Sequence, residues 1–159
     1  MTRLQPVVKD DLTAGGWPVM ATRQIAKAPC VPARAPVTHG YAALAFFTGG
    51  RSLVELKGEW KVREGDVLLV PAGEPHRTLE ADGVEYWGLS FCVPCFAANG
   101  VAQLLEPFER VRDGGSAVVS IASARHAYLE GLFRELADVG ELSKEARSEE
   151  HTSELQSLT

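Results

Sequence analysis

Few folds accommodate the run Gly65-Asp66-Val67-Leu68-Leu69-Val70-Pro71-Ala72-Gly73-Glu74-Pro75-His76, because it dictates a turn, a buried strand, a rigid corner and one placed imidazole in that order. Gly65 can take a positive φ at the turn, and Val67 to Val70 form an apolar run of strand length. Pro71 cannot donate to a continuing ladder, so the strand ends there. Pro71, Gly73 and Pro75 stiffen the loop that follows, which delivers the side chain of His76 to a defined place. The segment predicts a small β-barrel with a histidine at its mouth.

Short apolar runs separated by turn signals continue this pattern on both sides. Trp17 to Ala26 reads as a strand, and Lys27 to Pro36, with Pro29, Pro32 and Pro36, as an extended connector. From Tyr41 onward the turn signals are Gly49-Gly50, Lys57-Gly58, Glu64-Gly65-Asp66, Pro71 to Pro75 and Asp82-Gly83. Glu59 to Arg63 alternates cleanly, with Trp60 and Val62 on one face and Glu59, Lys61 and Arg63 on the other. Val84 to Phe91 is apolar almost throughout, as in a strand covered on both faces. Seven or so short strands are expected, in a jelly roll or barrel.

Beyond Pro94 a short helix is expected near Val101 to Leu105, then a turn at Asp113-Gly114-Gly115 and a short strand from Ala117 to Ile121. A long helix closes the pattern, with Ser123 as N-cap and Gly140 as stop. Its apolar positions Tyr128, Leu129, Leu132, Phe133, Leu136 and Val139 recur at three- and four-residue spacing. Such a stripe packs on a core or on a second copy of the helix.

With 159 residues and 45% apolar composition, the chain has material for one good core. Its net charge of -5 offers no clustered Lys and Arg for phosphate, so DNA binding by this polypeptide itself is not expected. Neither a signal peptide nor a membrane-spanning run is legible, which makes a cytoplasmic location the expectation. Cys30, Cys92 and Cys95 are too few and odd in number for a disulfide scaffold and agree with a reducing compartment. Cys92-Val93-Pro94-Cys95 imitates a thioredoxin-type redox site, but no βαβ frame precedes it, and burial of two small side chains is the preferred reading. Arg147 to Ser157 resembles the in-frame translation of a sequencing adapter, which would make 147–159 an artefactual tail and the natural chain longer than this one. The other reading is a natural polar extension; the remainder is acidic under either.

Gly65, Pro71, Gly73 and His76, at their spacing, are similar to the second motif of the cupin superfamily, and His39-Gly40-Tyr41 through Gly49-Gly50 resembles a degenerate first motif. Together with the stretch from Pro107 to Val119 leading into the last helix, the chain from about Trp17 to Ala146 resembles the N-terminal effector-binding and dimerisation domain of AraC-type transcriptional regulators. The resemblance implies a mainly β fold, a cupin-like double-stranded β-helix (jelly roll) followed by C-terminal α-helices. It divides the chain into an arm (1–16), a barrel (17–121) and a helical dimerisation segment (122–146). It also implies a small-molecule effector, a homodimer, and contact with DNA only through a helix-turn-helix domain missing from this chain.

Metal-dependent cupins present two His and a Glu from the first motif and a His from the second. Here Tyr41 stands in place of the second His, and Leu44 or Ala45 in place of the carboxylate, so no metal, no cofactor and no enzymatic activity are expected. The resemblance carries the receptor role onto His39, Tyr41 and His76, with Trp60 and Trp87 as aromatic candidates. Arg23 either pairs with an anionic effector or is a solvated strand residue, and His76 either meets a ligand or caps a neighbouring carbonyl. Leu129, Leu132, Phe133 and Leu136 are the expected dimerisation residues. The alternative from another class is a small cupin enzyme, an isomerase or dioxygenase, using His39 and His76 as ligands or as an acid–base pair.

Overall fold

The computed structural model describes residues 19–26 and 35–157, with side chains as far as Glu141. The N-terminal arm, the strand start at Trp17, most of the Pro-rich connector and Cys30 lie outside the described residues.

Six strands, β1 (Val19–Ala26), β2 (Ala42–Glu55), β3 (Glu59–Arg63), β4 (Asp66–Val70), β5 (Arg77–Phe91) and β6 (Val118–Ser120), pair antiparallel in one sheet of order β1-β5-β2-β4-β6, with β3 also on β2. Helices α1 (Val93–Ala98), α2 (Glu106–Arg112) and α3 (His126–Ser157) follow, with single 3-10 turns at Ala102–Leu105 and Ser123–Arg125. The architecture is the expected mainly β fold with helices at its C-terminal end. The alternation in β3 is as predicted: Val62 is buried and Trp60 half-buried, while Glu59, Lys61 and Arg63 are exposed.

Among the described residues two strands, β2 and β5, are long and bent where short strands were expected. Gly49-Gly50 and Asp82-Gly83, expected to be turns, lie inside β2 and β5. The register shifts between Phe47 and Gly49 and again between Gly49 and Arg51, then the ladder resumes with Arg51 opposite Asp82. Gly50 (φ 74°) and Gly83 (φ 57°) both take positive φ at the bend. Because each strand has a partner on both sides of its glycine, the glycines redirect the ladder instead of ending it.

Adjacent residues on the bent strands face opposite cores. Phe47, Val54, Leu56, Val62, Leu68 and Val84 pack with Phe96, Leu105, Phe108 and Val111 of the α1–α2 segment. Phe46 and Trp87 instead meet Ala21 of β1 and Phe133 of α3. Their rings lie nearly parallel, with centroids 6.0 Å (Phe46–Phe133) and 6.2 Å (Trp87–Phe133) apart.

The last helix departs from expectation at both ends. Ser123 opens the 3-10 turn, with Ala122 before it, so Ser123 is not the N-cap of α3. Gly140 does not stop α3, which runs on to Ser157. A glycine ends a helix by adopting a left-handed conformation at its C-terminus, and Gly140 is not among the residues with positive φ. A Cβ on Gly140 would meet nothing within 4 Å. Gly140→Ala is therefore expected to stabilise the protein by about 0.5–1 kcal/mol in chemical denaturation; a loss of stability would mean that the helix breaks there.

The cysteines of the β5–α1 junction are a second correction. Cys92 and Cys95 form a disulfide, with Cα atoms 5.3 Å apart, and both are half-exposed where the sequence reading had them as buried thiols. The turn into α1 brings the two Cα atoms within bridging distance. Mass spectrometry after alkylation of the native protein is expected to find both unmodified until a reductant is added.

Candidate functional site

His39 and Tyr41 precede β2, and His76 ends the loop between β4 and β5. Three backbone hydrogen bonds lace these distant segments together. Val37 N–H donates to His76 O (2.9 Å), His76 N–H to Val37 O (3.0 Å) and Gly73 N–H to His39 O (2.8 Å). Gly73 holds its part of the loop at φ 77°, a conformation that favours glycine. Pro71 is fully buried at the loop's start.

Two charged side chains clamp the loop from outside. Arg112 of α2 donates to Ala72 O (2.7 Å) and lies 3.5 Å from Glu74, whose other cation is Lys57 at 3.6 Å. Beyond the loop, Arg77 grips Glu55 through both Nε and Nη2. Sequence reading assigned no role to Arg112, Lys57 or Glu55. Their pairing depends on contacts across the fold that no local pattern encodes.

The lacing brings three rings into one cluster. Tyr41 is buried and stacks on His39 with centroids 4.0 Å apart and planes 3° from parallel. His76 meets His39 edge-on at 4.9 Å. Each imidazole is tied to a carbonyl through Nδ1: His39 to Tyr41 O (2.7 Å) and His76 to Glu74 O (3.1 Å). A carbonyl only accepts, so in both rings Nδ1 carries a proton, and in the neutral ring Nε2 then carries the lone pair. Burial holds the pKa of His39 below its ordinary value; the bond to Tyr41 O opposes this and the neighbouring His76 adds to it. Burial also raises the pKa of Tyr41.

Depression of the His39 pKa has a sign that can be checked. Between the native pKa and the ordinary value of 6.5, the unfolded chain binds a proton that the native ring does not. The contribution of His39 to stability is thus complete above 6.5 and falls away as the pH drops through the native pKa. His39→Phe is expected to flatten the acid side of the unfolding free-energy curve relative to the parent protein, measured by denaturant titration at a series of pH values.

The remaining predicted residues sit elsewhere. Trp60 lies half-buried on β3 and donates from Nε1 to Leu56 O (2.9 Å) at the hairpin. Trp87 lies in the core beneath α3, with Arg23 6.0 Å over its ring. Arg23 is opposite Trp87 in the β1–β5 register and pairs with Glu85 at 3.4 Å. Among the described residues no ring contact, hydrogen bond or ion pair joins Trp60, Trp87 or Arg23 to the three clustered rings. Their periodicity placed them on strands but could not say which of two cores each side chain would face.

The helical stripe also divides. Phe133 is 7% exposed and packs on Phe46 and Trp87, and Leu129 packs beside it. Leu132 (39%) and Leu136 (43%) are exposed, in line with exposed Tyr128 and Val139. The expectation that Phe133 faces a partner is thus corrected: its ring fills the intramolecular core.

Among the described residues there is no group of three or more His, Cys, Asp or Glu side chains able to hold a metal ion. No helix among them is long and apolar enough to cross a membrane.

A family model described as AraC-like ligand binding domain matches residues 30–158. No curated protein matches the chain. Solved structures similar to it include a protein from Ralstonia eutropha JMP134 whose proposed role is mannose-6-phosphate isomerase, at 21% identity over 46% of this chain and 74% of that one (TM-score 0.43). An oxalate decarboxylase variant from Bacillus subtilis is 23% identical over 53% of this chain, which spans 24% of that protein (TM-score 0.42).

Proposed function

The chain belongs to the family of AraC-like ligand-binding domains, and on that premise we propose that it is the effector-binding and dimerisation part of a cytoplasmic AraC-type transcription regulator. The observation that carries the reading is the convergence of His39, Tyr41 and His76, drawn from two loops that are far apart in sequence and laced by backbone hydrogen bonds. A small molecule seated on these rings touches both segments at once and so fixes their relative placement. Binding does its work through a difference in affinity between two arrangements of the dimer, with no chemistry performed on the ligand. Contact with DNA falls to a helix-turn-helix domain outside this sequence.

Exposed Tyr128, Leu132, Leu136 and Val139 supply a stripe at helical spacing for a two-fold contact between α3 helices. The test joins sedimentation equilibrium, a thermal-shift screen of small molecules and metal analysis of the purified chain. A dimer that becomes monomeric in L132E/L136E, together with a ligand-induced rise in Tm and no turnover, supports the proposal. A parent monomer, or a stoichiometric divalent ion with turnover of a screened compound, overturns it in favour of a cupin enzyme or a lone binding module.

A further inference from the structure

From the tautomers of His39 and His76 we infer that the ligand of this site is a hydrogen-bond donor, a compound presenting hydroxyl or amine hydrogens, and not a carboxylate or phosphate. The inference rests on the receptor reading above and adds to it the chemical class of what is received.

Both imidazoles spend their Nδ1 proton on a carbonyl of their own loop, Tyr41 O for one and Glu74 O for the other. Neither Nε2 has a hydrogen-bond partner among the described residues, and both rings are half-exposed. Their ring centroids lie 4.9 Å apart, so one small molecule can lie against both rings. A neutral imidazole with Nδ1 protonated can only accept at Nε2, so the complementary group must donate.

Among the described residues, the cations beside the loop are already matched, and a matched cation is a poor holder of a further anion. Glu74 lies between Lys57 and Arg112, and Glu55 takes Arg77 in a two-pronged contact. An anion placed against the two Nε2 lone pairs would meet acceptors, and among the described residues beside the loop no unmatched guanidinium or ammonium offsets them.

The experiment uses the whole chain labelled with 15N. Long-range 1H–15N spectra at neutral pH report which ring nitrogen of each histidine is protonated. A screen then compares hydroxyl and amine fragments with carboxylate and phosphate fragments of matched skeleton, read by the 15N shifts of Nε2. The expected result is Nδ1–H in both rings and shifts at both Nε2 atoms from the donor fragments alone. H76F should weaken the donor fragments roughly three- to ten-fold, as befits the loss of one neutral hydrogen bond; unchanged binding overturns the inference. An Nε2–H or doubly protonated ring at either position in the free protein also overturns it. Anionic fragments that shift both Nε2 atoms overturn it while leaving the receptor reading intact. Binding by neither class defeats the inference and the receptor reading together.

Discussion

Phe46→Ala is expected to cost about 3–5 kcal/mol of stability, the larger of the core effects available in this fold. Phe46 is 0% exposed and lies between the sheet and α3. Phe133 stacks over it, and His126 at the start of the helix meets it edge-on with centroids 5.6 Å apart. Truncation removes the ring on which both helix residues rest, and the sheet backbone beneath cannot close the cavity because Ala45, Phe46 and Phe47 are fixed in ladders with β4 and β5. His126 is further tied to Ile121 O (2.8 Å), so the helix start is held from two directions and collapse into the gap is opposed. Urea denaturation measures the loss. Leu132→Ala, on the exposed side of the same helix, is the control and should cost well under half as much in the monomer.

Gly50→Ala is expected to destabilise by about 3 kcal/mol or more and to lower soluble yield. A Cβ at this position would lie 2.3 Å from Gly83 O and 2.5 Å from Asp82 O, and φ 74° is itself unfavourable for alanine. The obstructing atoms are backbone in a paired strand, so no side chain can swing away. Gly83→Ala shares the positive φ (57°) but meets nothing within 4 Å, and should cost roughly 1 kcal/mol from conformation alone. The difference between the two variants in denaturant midpoint isolates the close approach of β2 to β5. Equal costs would mean that the strands do not bend against each other there.

The second prediction concerns a feature that the sequence half disclosed. Gly50 and Gly83 were legible as places where φ can turn positive, and a turn is the local inference from that freedom. Whether such a residue ends a strand or bends it depends on whether partners continue beyond it, which is a property of β2 and β5 together. The same holds for Gly140, where the residues that follow decide between a cap and a helix interior. The candidate site was legible to a similar depth. His76 could be singled out because turn chemistry stiffens the loop that carries it, His39 and Tyr41 only through the resemblance, and the structure clusters the three rings. Trp87 and Arg23 were grouped with them only because aromatic and basic side chains suit a ligand, and that says nothing of which face they occupy.

The sequence by itself determined the β texture, the strand stop at Pro71, the acidic balance and the presence of a long amphipathic helix, because each follows from dihedral freedom, periodicity or charge within a few residues. Only the tertiary structure decided that Phe133 turns inward while Leu132 and Leu136 stay outside, that Cys92 joins Cys95, and that each of two neighbouring histidine rings is tied through Nδ1 to a carbonyl. Those outcomes turn on which of two faces a side chain meets and on which carbonyl lies beside a ring nitrogen. Both are set by residues remote along the chain and brought near only when the sheet closes.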